Sequence, residues 1–483
     1  MSKSIKVNFV FNVINTVMGL LFPLITFPYA SRVLMADGIG RINFYSSIIS
    51  YIVLITGIGI PIYGIREIAR VRDNNEELSR TTVEIFLLNF ILCVLGYIVV
   101  AVMCLTINEI KNDIPLFLVI STTILLSTIG CNWFYSGVED FKFIAINSLI
   151  IRILSLVLLF GLVRTKEDLL YYGIFAVVTN SGNYLINFIG LRRHIDLSLV
   201  KTQKLNITRH IKPALTVFLF SIVSSIYVNL DKVMLGFIKD TTSVGYYTAA
   251  SQISHILLTL VISLGAVLLP RASNLIKNGQ MEEFTSLTRK AYHFIVLLSM
   301  PIVAGCVVMA PTLIHILCGY SYEPSVTTLR LICPTVFIIG LSQLIGMQIL
   351  YPLGKIRMVT YSTGIGAIVN VILNSMLIPL FAQNGAAISS VAAELSVTFS
   401  LIFFSKRTLP FRFFTSSFFK YLIATFIMAL VCVIFVGLTS LTDWGYMIAL
   451  PVIGGLIYMC ILLLLKEEFI ADAILLLKKA FKI

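Results

Sequence analysis

The residues of this sequence that could do chemistry are ionisable side chains set inside long apolar runs. Arg152 and Glu394 fall well within such runs, Asp231 and Lys232 are adjacent near the end of another, and Glu84 and Arg330 lie within or near runs. Arg32 and Arg41 flank a break between two runs. A charge near the centre of a bilayer costs at least ~2.5 kcal/mol on insertion scales, so such residues usually have a task. Snorkelling to the interface or a structural ion pair remains open, most of all for Arg32, Arg41 and Arg330 near run ends. A guanidinium can grip a phosphate bidentately, and a carboxylate taken out of water favours its neutral form and can exchange protons. His255 could titrate near neutral pH if wetted, or sit buried and neutral.

Polar residues around these charges recur at helical spacing. Asn8, Asn12, Asn15, Thr16, Gly19, Pro23 and Thr26 share one helix face, as do Thr248, Ser251, Gln252, His255, Thr259 and Ser263. Ser221, Ser225 and Asn229 lead to Asp231 and Lys232. Lipid cannot oppose such faces; they pack on other helices or line water, and alignment into stripes favours a cavity. There is no Walker loop, H-E-x-x-H or G-x-S-x-G. The eight cysteines are scattered singly, without metal-ligand spacing, and read as small packing residues. An enzyme is therefore not expected, nor any cofactor or metal.

The elements that must position these residues are membrane-spanning helices. The chain is 58% hydrophobic and only 12% charged, with a mean hydropathy of +0.97, whereas soluble domains carry about 25% charged residues. Spans need about 20 apolar residues. The apolar runs predict an all-α polytopic protein with about fourteen spans, near 7–31, 42–65, 81–107, 114–136, 143–163, 168–190, 211–236, 244–270, 288–311, 327–350, 357–381, 385–405, 418–438 and 444–465. The first is read as a retained span and not a cleaved signal. Of the 36 basic residues, 27 fall on one side of this topology and 7 on the other. The positive-inside rule then places both termini in the cytoplasm. The +13 net charge is assigned to loops facing anionic lipid headgroups, without nucleic acid.

A basic stretch between Leu191 and Lys212 divides the first twelve spans into six and six. Arg32-Val33-Leu34 with Gly38-Ile39-Gly40 parallels Lys232-Val233-Met234-Leu235 with Val244-Gly245-Tyr246-Tyr247. An even number of spans per half makes the repeats parallel, related by a pseudo-twofold along the membrane normal. The expected division is an N-terminal lobe, 1–200, a C-terminal lobe, 201–408, and two extra helices with a cytoplasmic tail, 409–483.

The runs FPYASRVLMADGIGRINF (27–44), YGIREIA (63–69), WFYSGVEDFKFI (133–144), NLDKVMLG (229–236) and NGAAISSVAAE (384–394) resemble the oligosaccharide flippases of O-antigen and capsule assembly. These belong to the multidrug/oligosaccharidyl-lipid/polysaccharide exporter superfamily. The resemblance implies alternating access by two lobes in the bacterial cytoplasmic membrane, with an undecaprenyl-diphosphate-linked oligosaccharide as cargo. Membrane lipids, a polysaccharide polymerase and a chain-length regulator are the other partners expected. Arg32, Arg41 and Lys232, with Arg152, would meet phosphate or acidic sugars; Asn12, Asn15 and Ser251 would line the cavity. Asp231, Glu394 and His255 are the candidates for ion coupling. The competing readings are a cation-coupled multidrug antiporter, a peptidoglycan-precursor flippase, and a non-transporting scaffold or polymerase. At least as many basic as acidic candidates argues for an anionic cargo, and short external loops argue against a polymerase.

The charge distribution predicts that cysteines introduced between Leu191 and Lys212 react only with reagents that reach the cytoplasm. Labelling of that segment by an impermeant external maleimide would invert the assigned orientation.

Overall fold

The computed structural model describes residues 5–196, 198, 200, 204–263, 265–406, 408–409 and 413–470. For 5–18, 20, 21, 219–228, 266 and 267 it describes the backbone alone. Among the described residues there are helices and turns but no strands. Without water in the bilayer core, each segment must close its backbone hydrogen bonds internally, and the helix does this for every crossing.

Ten helices among the described residues are long and apolar enough to cross a membrane. Two of them, Phe22–Val71 and Ile356–Ser405, run for 50 residues each, about twice what one crossing needs. Each is broken by a residue with positive φ. Met35 (φ 58°) interrupts α1 (Ile5–Gly57), and Ala382 (φ 48°) interrupts α15 (Ile356–Ser405). Both breaks fall where the apolar pattern separates spans. Once these helices are divided, and α9 (Thr208–Ile238) and α10 (Thr241–Ile262) are included, a helix lies on each of the fourteen expected windows.

The chain forms two compact units, Met1–Gly245 and Tyr246–Ile483. In the first, α1 packs on α5 (Ile114–Ile129), α7 (Phe141–Leu162) and α9, while α8 (Leu169–Leu191) packs on α5 and α7. The short amphipathic α2 (Ile60–Val71) lies on α6 (Asn132–Gly137) and α3 (Asn75–Thr106). Ile68, Trp133, Phe134 and Tyr135 are buried in the shared core there. In the second unit, α12 (Met281–Cys318) packs on α16 (Ser416–Leu438) and α17 (Asp443–Leu464). α13 (Pro324–Ile332) and α14 (Thr335–Gln343) pack on α15.

Two features fix α9 within the first unit. The first is a hub around Glu84, which is fully buried. Its carboxylate accepts from Arg80 Nε (3.0 Å), Arg209 Nε (2.7 Å), His210 Nε2 (2.9 Å) and the Asn206 backbone N–H (2.7 Å). Tyr63 hydroxyl lies 2.6 Å from His210 Nδ1, and Arg80 also donates to Lys204 O. A buried carboxylate is tolerated only when paired and hydrogen-bonded this fully. The connection from 204 to 210 is thereby laced to the first turns of α3.

The second is a backbone-to-backbone contact near the breaks. A Cβ built on Gly40 would stand 1.6 Å from Thr241 O, and one on Gly245 would stand 1.9 Å from Ala36 O. Only hydrogen fits in either place, because a carbonyl of packed backbone cannot swing aside. Thr241 Oγ1 donates to Asp37 Oδ1 (2.5 Å) beside this seam.

Gly305 of α12, by contrast, has open space around its Cβ position. We expect Gly40→Ala to lower the thermal midpoint of the purified protein by several degrees, corresponding to ~1–3 kcal/mol of overpacking. Gly305→Ala should leave it unchanged or raise it, since alanine is the better helix former. Equal midpoints for the two variants would contradict the seam.

Candidate functional site

In the first unit the sequence-predicted cations have different surroundings. Arg41 lies 3.0 Å from Asp37 and 3.7 Å from Asp113, so two carboxylates already meet its charge. Burial pushes the Asp113 carboxyl above its ordinary range; Arg41 pulls it back and Asp37 adds to the rise. Tyr45 adjoins this group and donates to Glu109 O (3.0 Å). Arg32 is exposed on the other side of the Met35 break in α1.

Lys232 is half-buried on α9, and its Nζ donates to the neutral amide of Asn43 (3.3 Å), two residues beyond Arg41. Its neighbour Asp231 is buried. Arg152 is half-buried on α7, with its guanidinium directed at α1: a Cβ built on Gly19 would come 3.6 Å from Nη2. Gly19 belongs to the sequence-predicted polar stripe of α1, so the guanidinium reaches ordinary contact distance of that helix there. Asn12 and Asn15 lie on the same helix, but their side chains lie outside the described residues.

A cavity of about 370 Å³ opens between the second half of α1, the start of α2, and α9, with Ser50, Tyr51 and Asn229 among its lining residues. Thus the first unit brings Asn229 of the α9 stripe to a cavity. On the far side of α7, Asn147, Asn187 and Asn132 are linked by side-chain hydrogen bonds of 3.2 and 2.6 Å. Sequence reading missed this ladder, although three asparagines in apolar segments were a visible signal.

In the second unit, Ser251 is half-buried and donates to Thr248 O of its own helix (3.1 Å); His255 is exposed. Beside this stripe, α10 is tied to its neighbours. Tyr247 hydroxyl pairs with Ser390 (3.0 Å) and Ser254 with Thr335 (3.3 Å). Glu394 is half-buried, one turn beyond Ser390 on α15. A cavity of about 540 Å³ between α12, α16 and α17 is almost wholly apolar, with Met309, Met428, Met447 and Met459 in its wall. Among the described residues no group of three or more histidine, cysteine, aspartate or glutamate side chains could hold a metal.

Glu84 was visible from the sequence as a misplaced charge, but its partners were not. Arg209 and His210 lie 125 and 126 residues away. The hub holds the α9 end of the connection and so positions the helix carrying Asp231 and Lys232.

Comparison with known proteins adds to this geometry. The model of a family described as polysaccharide biosynthesis protein matches residues 5–276, and the MatE model matches residues 216–376. An Escherichia coli (strain K12) protein named "Putative O-antigen transporter" is 24% identical over 390 residues, covering 80% of this chain and 93% of that protein. A Shigella dysenteriae protein of the same name is 23% identical, with 79% and 95% covered. Among solved structures, the lipid II flippase MurJ in an inward closed conformation superposes with a TM-score of 0.75 at 16% identity, covering 96% of this chain and all of that one. An inward-facing MATE family multidrug transporter gives 0.67 at 14% identity, with 83% and 98% covered. These structural likenesses establish the shared polytopic helical fold.

Lys232 is hydrogen-bonded to a neutral amide, and Arg152 is turned toward the polar face of α1. On the expectation that these two cations meet an anionic cargo, Lys232→Gln and Arg152→Gln should each cut export roughly tenfold, the equivalent of one charge-assisted hydrogen bond. Lys277→Gln, at an exposed position ending α11 (Gly265–Lys277), removes the same charge and should change little. The readout is surface polymer normalised to membrane abundance of each variant; three equal values would show that position does not matter.

Proposed function

We propose that this chain, which belongs to the polysaccharide biosynthesis protein family of the multidrug/oligosaccharidyl-lipid/polysaccharide exporter superfamily, is a flippase for undecaprenyl-diphosphate-linked oligosaccharide. It carries repeat units from the cytoplasmic to the outer leaflet of a bacterial cytoplasmic membrane for O-antigen, capsule or exopolysaccharide assembly. The termini are cytoplasmic, and the lobes that alternate are residues 1–200 and 201–408, followed by the segment 409–483.

The observation carrying this reading is Arg152, an arginine within a membrane-spanning helix aimed at a polar helix face at Gly19. A cation held there suits an anionic headgroup and disfavours the cationic drugs of an antiporter. Diphosphate is a strong partner for guanidinium and ammonium groups. The apolar cavity beside α12 fits a hydrocarbon chain and offers almost nothing to a sugar. The relatives' printed names, O-antigen transporter and lipid II flippase, point to the same class of cargo.

Energy comes from an ion gradient, with Glu394, Asp231 and His255 as the candidate carriers. A carboxylate that takes up a proton facing one side and releases it facing the other biases alternation. Proteoliposomes loaded with fluorescent undecaprenyl-diphosphate oligosaccharide test both parts. Flipping should accelerate when a pH gradient is imposed, and Glu394→Gln, which keeps size but cannot titrate, should lose that acceleration. No flipping by the parent protein would overturn the function, whereas flipping that ignores the gradient would remove only the coupling.

A further inference from the structure

The membrane-spanning segment Pro324–Leu350 ends unusually. After α14 the chain widens into a π-helical stretch, Leu344–Leu350, continued by hydrogen bonds from Tyr351 N–H to Gly346 O and from Lys355 N–H to Leu350 O. Such stretches are rare and recur at functional sites, because the wider turn re-aims side chains at the cost of regular packing. Here the stretch carries Gln348, and Gln343 immediately precedes it.

Both glutamines line a cavity of about 260 Å³ within the second unit, between the end of α10, the start of α11, and α14. The Gln348 amide lies directly over Gly265, the first residue of α11. A Cβ built there would stand 2.1 Å from Nε2, so glycine leaves the space the amide uses. Gln348 Oε1 is buried and has no hydrogen-bond partner among the described residues. A buried acceptor in an apolar helix is expensive to leave unmade, and native structures almost always supply a partner. Gln343 is exposed on the same wall.

We propose that this cavity is a subsite for a neutral hydroxyl-bearing group, a single sugar ring of the cargo; the assignment rests on the lipid-linked oligosaccharide reading above. The chemistry selects that class. Among the described residues no charged side chain lines the cavity, so it offers neither a phosphate clamp nor a cation cage. The exposed Gln343 amide presents a donor and an acceptor, and the Gln348 amide beside it leaves an acceptor unpaired, which matches hydroxyl and acetamido groups once that amide turns toward the cavity. The remaining wall, including Val261, Leu268 and Met347, is apolar and can cover a ring face. The volume lies just below the roughly 300 Å³ at which small-ligand pockets begin, enough for one ring and too little for a chain.

The test uses full-length protein in nanodiscs and two probes, undecaprenyl diphosphate alone and undecaprenyl diphosphate bearing one N-acetylhexosamine. The parent should bind the sugar-bearing carrier more tightly. Gln348→Leu, which keeps approximate size without polar atoms, should weaken that binding about tenfold, or about 1.4 kcal/mol, and leave the bare carrier unchanged. Gly265→Ala, which pushes the amide aside, should do the same. In a background lacking the exposed Cys460, Gln343→Cys should react with a water-soluble maleimide and be protected by the sugar-bearing carrier. Equal loss for both carriers, or a parent that does not distinguish them, would overturn the subsite while leaving the flippase reading intact. Failure of the parent to bind either carrier would instead count against the function itself.

Discussion

Water is missing from the hydrocarbon core of a bilayer, and almost every feature of this chain is a response to that. Backbone groups satisfy each other along helices, so the crossings are helical and longer than those of soluble domains. Where one 50-residue helix must cross twice, the reversal happens at a strained non-glycine residue, Met35 or Ala382. A side chain at positive φ costs on the order of 1–3 kcal/mol and persists only when its surroundings hold it. At Met35 the surroundings include the close seam of Ala36 and Gly40 against Thr241 and Gly245.

The same absence of water sorts the charges. Glu84 is tolerated because four residues converge on it, and the convergence ties the 204–210 connection to α3. Arg41 is met by two carboxylates. Lys232 and Arg152 are held differently, one by a neutral amide and one over a glycine. Charge count alone would treat these cations as equivalent, but their surroundings differ.

Glycine recurs at the points where function and packing meet, for two physical reasons. At Gly40 and Gly245 the missing side chain lets two backbones touch, which adds dispersion and excludes lipid. At Gly265 it makes room for a long polar side chain, Gln348. The first use fixes a corner of the fold; the second shapes a polar surface inside an apolar helix bundle.

Hydropathy is a local property, and for that reason the sequence by itself determined the all-helical, polytopic class and the approximate position of each crossing. The positions of Arg152 and Glu394 inside spans were legible for the same reason. What could not be read were relations between residues far apart in the chain: the Glu84 hub across more than a hundred residues, the second carboxylate beside Arg41, and the pairing of Tyr247 with Ser390. Nor does any composition signal mark Met35 rather than Gly38 as the reversal, or the π-helical turn that aims Gln348, since both depend on the packing the backbone meets. Local sequence sets which segments leave water; only tertiary packing decides which of their polar groups find partners and which remain open to a ligand.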